Sequence, residues 1–149
     1  MLACLRAGLI AALVAISMVP AIAEKAFNRD ALNEAVIKLE AQIKSQAGQV
    51  AKQLPELRRD ANAAFQRNDA RTGMILLGQI ISIAPNDAAT WLQMSRAILQ
   101  IRTTDEREKM RLLERASTAA YAAYQRTTNR NDEADALVVL GRAFTDRKQ

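Results

Sequence analysis

After residue 24 the chain repeats apolar positions at three- and four-residue steps, the spacing that lines one face of an α-helix. Leu32, Val36, Leu39 and Ile43 make one such stripe and predict a helix over about 30–47, with Asn28 or Asp30 as its cap and Gly48 as its end. Glu34 with Lys38 and Glu40 with Lys44 add i,i+4 pairs in the favourable order. Pro55 suits the first turn of a second helix that reaches about Arg67, and Asn68-Asp69 marks a turn. Met74, Leu77, Ile80 and Ile81 belong to a third helix, over about 70–84. Pro85-Asn86-Asp87 ends it and offers caps for a fourth carrying Trp91, Met94, Ile98 and Ile101. Thr103 and Glu106 have capping-box spacing ahead of a long helix over about 105–127. The polar stretch 127–132 separates it from a last helix holding Leu137, Leu140, Gly141 and Phe144. No segment alternates apolar and polar residues for long, so the fold class is all-α, with about five helices.

The helices also repeat one another. Leu57-x2-Asp60-Ala61-x2-Ala64, then Gly73-x3-Leu77, then Pro85 reads as one unit. Trp91-x2-Met94-Ser95-x2-Ile98, then Ala120-x3-Tyr124 reads as a second, and Leu137-x2-Leu140-Gly141-x2-Phe144 opens a third. This phrasing resembles the tetratricopeptide repeat, whose 34-residue helix–turn–helix unit carries W-x2-L-G-x2-Y, A-x3-F and a proline. The resemblance implies antiparallel helix pairs stacked as an array, with small residues where the helices of a pair touch. Two departures stand out: Asp60 occupies a usually apolar place, and the step from Trp91 to Leu137 exceeds the first by 12 residues. About three extra turns of helix around 102–113 would absorb that excess. An irregular helical bundle whose stripes mimic repeats is the alternative reading. The helix over 30–47 matches no phrase and reads as a capping or partner-facing helix.

The first 23 residues are a different kind of segment. Arg6 precedes an apolar run over 7–19, Pro20 breaks it, and Ala21-Ile22-Ala23 has the small-x-small form that signal peptidase reads. The 13-residue run is shorter than the roughly 20 residues a membrane span needs. The expectation is export to the periplasm with cleavage after Ala23; an uncleaved N-terminal anchor is the alternative, and the only route to a membrane. Cys4 lies before the apolar run, not after it as a lipid-anchoring cysteine would. Cleavage removes this single cysteine, so the mature chain could form no disulfide. The expected organisation is a signal peptide over 1–23, an N-terminal helix over 24–51, and helical repeats over 52–149 whose last unit is incomplete. Because 143–149 supplies no polar capping helix, an exposed apolar strip around Leu140 and Phe144 is expected. Self-association or further sequence would meet that strip.

Composition argues against chemistry. The chain has no histidine, which removes the commonest general base and metal ligand. Gly73 and Gly78 sit within one helix without the lysine of a phosphate-binding loop. Asp105, Glu106 and Glu108 alternate with Arg107 and Lys109 and read as a solvated helix start. Tyr121 and Tyr124 read as packing residues. No catalysis, cofactor or metal is expected. The formal net charge is +5, but its signs are interleaved along the chain, so nucleic acid is not expected as a partner.

A second resemblance rests on Lys25-Ala26-Phe27, Lys38-Leu39-Glu40-Ala41-Gln42-Ile43-Lys44 and Leu112-Leu113-Glu114-Arg115-Ala116-Ser117-Thr118-Ala119-Ala120-Tyr121. These stretches look like the beginning of exported bacterial alpha-2-macroglobulin family proteins, in which a helical region precedes many β-sandwich domains. The family implies trapping of proteases in the periplasm. The bait segment and thioester that carry trapping would lie far beyond Gln149, so no functional residue transfers to this chain. The expected function is a non-catalytic helical interaction module at the start of such a protein. A stand-alone periplasmic adaptor or scaffold is the alternative. In tetratricopeptide arrays the first helix of each unit lines a groove. The corresponding residues here are Asn62, Arg96 and Arg142, with Arg58 one turn before Asn62. These polar and basic groups would receive an acidic segment of a protein partner or of the parent chain.

Overall fold

The computed structural model of the protein describes residues 28–47 and 53–146. It contains α1 (Arg29–Ala47), α2 (Leu54–Gln66), α3 (Ala70–Ile83), α4 (Ala88–Gln100), α5 (Glu106–Arg126) and α6 (Arg130–Asp146). Among the described residues 85% are helical and none is in a strand, so the all-α expectation holds. The leader, with Ala21 and Ala23, lies outside the described residues, as do Lys25-Ala26-Phe27 and Gly48. The chain divides into two compact units, Met1–Asn33 and Glu34–Gln149, the boundary falling inside α1. In the first unit Asn28 caps the helix, its Oδ1 accepting from Ala31 N at 3.1 Å.

Local chemistry fixes each turn of the second unit. Asn68 adopts φ 56°, a left-handed conformation that asparagine tolerates better than most residues. It places Asn68 N on Phe65 O and Asp69 N on Ala64 O, each at 2.9 Å. These two bonds close the end of α2 as a Schellman motif. Asp69 then caps α3, its Oδ1 accepting from Thr72 N at 3.1 Å. Hydrogen bonds from the Thr72 side chain and backbone hold the Asp69 carboxyl below the usual carboxylate range.

The start of α5 departs from the expected capping box. Asp105 is the cap, its Oδ1 accepting from Arg107 N at 2.8 Å and from Glu108 N at 3.4 Å. Thr103 instead accepts from Asp105 N and donates its hydroxyl to Glu108 Oε2 at 2.7 Å. Aspartate's shorter side chain reaches two orphan donors within one turn, which leaves Glu106 free to pair with Lys109. The residues between α4 and α5 are irregular up to Asp105, so the extra length of the second unit is only partly helical.

From α2 onward each helix packs on the next, and α4 also reaches α6. The core contains Leu57, Leu77, Ile80, Ile81, Trp91, Met94, Ile98 and Leu140. Small residues mark the close approaches. A Cβ on Gly73 would stand 2.4 Å from the Phe65 ring of α2, so α2 and α3 meet there more closely than alanine allows without Phe65 moving. Ser95 is fully buried and donates its hydroxyl to Ala116 O of α5 at 2.7 Å. Gly141, the third small residue of the series, is exposed, and no described atom approaches the place of its Cβ within 4 Å.

In α1, Val36, Leu39 and Ile43 are buried, as is Leu32 in the first unit. Within the second unit α1 packs on the later helices through its side chains: Ile43 Cγ2 and Met94 Cε both lie 3.9 Å from the place of a Cβ on Gly78. The apolar strip expected at the end of the chain is differently placed. Leu140 is only 1% exposed because α6 is covered by both α5 and α4. Phe144 is half-buried, and the exposed apolar residues of α6 are Leu137 and Val138.

Candidate interaction surface

The residues expected to line a groove sit on α2, α4 and α6, and the structure joins these helices through them. Arg58 of α2 donates to Asp87 Oδ2 at the start of α4 at 2.7 Å. One turn on, Asn62 Oδ1 accepts from Gln93 Nε2 at 3.5 Å. Arg96 of α4 donates to Asp135 Oδ2 of α6 at 2.7 Å. Moving one turn from Arg58 to Asn62 moves the contact from Asp87 to Gln93, so the two side-chain contacts keep the same order along both segments. Arg142 is not brought into this row; it pairs within α6, with Asp146 at 3.9 Å.

All three arginines are therefore charge-balanced by an aspartate. Asp87 and Asp135 stand 29 and 39 residues from their partners, outside any helical period, whereas Asp146 is only four residues from Arg142. Arg58, Arg96 and Arg142 keep half or more of their side-chain surface exposed, so the pairs remain open to exchange with an incoming carboxylate. Asp87 is the most enclosed acid of the row. Burial raises its carboxyl, but the hydrogen bonds from Thr90 and Arg58 outweigh that and hold it below the usual range.

A second cluster, on the other side of α4, went unread in the sequence. Trp91 is fully buried, and its Nε1 donates to Pro85 O at 2.8 Å. Arg126, at the end of α5, donates its Nε to the same carbonyl at 2.9 Å and lies over the Trp91 ring, 5.3 Å from the centroid. Its Nη1 donates to Ala122 O at 3.0 Å, and its Nη2 pairs with Glu40 of α1. The Pro85 carbonyl thus accepts from both α4 and α5, and Arg126 carries the contact on to Glu40 of α1. Tyr121 and Tyr124 stack at 6.1 Å between centroids. Their contact is packing, as expected.

Arg115 of α5 has a different environment. It is half-buried, its Nε has no hydrogen-bond partner, and burial alone lowers its pKa from the usual value. Asp105, Glu106 and Glu108 stand at the exposed start of α5, where Glu108 pairs with Arg71 at 3.3 Å. Hydrogen bonds from Thr103 and Arg71 hold the Glu108 carboxyl below its ordinary range. Among the described residues no three His, Cys, Asp or Glu side chains group as a metal site, and no helix is long and apolar enough to cross a membrane. No family model, no curated protein and no solved structure matches this chain.

Proposed function

We propose that this chain is an exported, non-catalytic interaction module built from tetratricopeptide-like helix pairs. In this reading it forms the N-terminal part of a periplasmic alpha-2-macroglobulin-like protease-trapping protein. The observation that carries the module reading is the row of side-chain contacts Arg58–Asp87, Asn62–Gln93 and Arg96–Asp135, which links α2, α4 and α6. First helices of successive units must stand next to one another for a stacked array to present a continuous recognition face. Placing Gly73 and Ser95 at the closest helix approaches supports the same pairing. The parent family rests on the sequence alone, chiefly on the stretch 112–121, which lies in the middle of α5 and is buried from Ala116 to Tyr121.

The face recognises acidic segments by exchanging Asp87 and Asp135 for carboxylates of the partner. The tagged full chain, expressed in a Gram-negative host with its native reading frame, tests this. A periplasmic partner or a β-rich downstream polypeptide should co-purify. Its affinity should fall at least tenfold on combined charge reversal of Arg58, Arg96 and Arg142. Unchanged affinity in that variant would remove the groove from the account.

A further inference from the structure

Between α1, α3, α4 and α5 lies a half-open cavity of about 290 Å³. Its walls are apolar: Ile43 of α1, Met74 and Ile75 of α3, and Met94 of α4, with Gly78 as part of the floor. Gly78 adds no side chain to it, and a Cβ there would meet Ile43 Cγ2 and Met94 Cε at 3.9 Å, ordinary van der Waals distance. One cationic residue lines this apolar space, Arg115. Its buried Nε has no hydrogen-bond partner, and among the described residues it makes no ion pair. The other half-buried arginine among the described residues, Arg126, is matched by Glu40, Pro85 O and Ala122 O.

An unmatched guanidinium beside an apolar cavity is costly unless an anion completes it. The geometry points to a small carboxylate with an unbranched apolar tail, a medium-chain alkyl carboxylate, as the ligand of this cavity. We infer that the carboxylate pairs with the Arg115 guanidinium while the alkyl chain lies against Ile43, Met74, Ile75 and Met94. The polar inventory separates this ligand from a peptide. Besides Arg115 the lining offers only the carboxamides of Gln46 and Gln79, too few for the repeating amides of a polypeptide backbone. The volume lies at the lower edge of small-molecule pockets, which suits a chain of about eight carbons. Two methionines give walls that adapt to a flexible chain. This site is independent of the α2–α4–α6 face and stands whether or not that face binds a protein.

The test is isothermal titration of the full chain with octanoate, hexanoate and 1-octanol at neutral pH, repeated on two variants. Octanoate should bind at one site, more tightly than hexanoate by roughly fourfold per methylene. Octanol, which has the same tail without the charge, should bind roughly ten- to a hundredfold more weakly. In Arg115→Met that gap between octanoate and octanol should close. Gly78→Leu, which puts a better helix former in place of glycine and fills the cavity, should abolish binding of both while circular dichroism stays wild-type. Octanoate that fails to bind, binds no better than octanol, or binds Gly78→Leu as it binds wild type would overturn the assignment.

Discussion

Replacing Arg126 by alanine should be the most destabilising change available on a charged residue of this protein. The side chain is 17% exposed and joins three elements. Its contact with Glu40, itself 24% exposed, is largely shielded from solvent, so losing this charged hydrogen bond costs about 1.5–3 kcal/mol. The stacked guanidinium over Trp91 adds about 1 kcal/mol. The Pro85 carbonyl keeps the indole Nε1–H at 2.8 Å, so that acceptor is not orphaned and little is added there. The total is about 3 kcal/mol, a large share of the roughly 5–15 kcal/mol that holds a domain together. Glu40→Gln keeps a hydrogen-bonding oxygen and should cost only about 1 kcal/mol. Urea titration of the full chain measures this with two probes. Far-ultraviolet circular dichroism follows all the helices, and fluorescence follows Trp91, the single tryptophan. The midpoint should fall by about 1–3 M. The emission of folded Arg126→Ala should also shift to the red as water reaches the ring. A loss below about 0.5 kcal/mol by both probes would refute the stabilising role of the Arg126 contacts with Glu40 and Trp91.

Further outcomes follow from single residues. Asn68→Val should cost about 1–2 kcal/mol by urea titration, because a β-branched residue cannot hold φ 56° cheaply, whereas Asn68→Gly should change stability by less than about 0.5 kcal/mol. Ser95→Val should cost about 1–3 kcal/mol, since it overpacks the α4–α5 contact and strips the bond to Ala116 O. The folded-state pKa of Asp87 is depressed, so as pH falls the unfolded chain takes up the proton first. The stability from Asp87 is full above the unfolded value of about 3.9 and is lost as pH drops through the lower folded value. Asp87→Asn should therefore be less stable than wild type at pH 7, by about 1 kcal/mol for the lost charged hydrogen bonds, and the difference should shrink as pH falls through the folded value, read by thermal melts. Mass spectrometry of the exported product should find Glu24 at the N-terminus; a retained Met1 would refute cleavage after Ala23.

The helices were legible because their apolar stripes are long and their turns carry proline, asparagine and aspartate. Gly73 and Ser95, small residues within apolar stripes, do stand at close contacts with a neighbouring helix. What escaped is what depends on pairing across the chain. Arg126 meets Glu40 at a separation of 86 residues and Pro85 at 41, and no period in the sequence encodes either. Arg115 reads as one more basic residue in a helix until the cavity around it is visible. Competition between nearby caps defeated the reading of Thr103 and Glu106, where Asp105 reaches the donors first. Leu140 was expected at an uncovered edge because α6 was read as the first half of a pair. Its second cover comes from α4.

The central claim is that α2, α4 and α6 present the recognition face. Photo-crosslinking in a Gram-negative host that exports the chain tests it most directly, with benzoylphenylalanine placed singly at Asn62 and Gln93 or at Ile75 and Met110. The account expects one discrete protein adduct from Asn62 and Gln93 and none from Ile75 on α3 or Met110 on α5. Adducts from the α3 and α5 positions alone, or from none of the four, would contradict it.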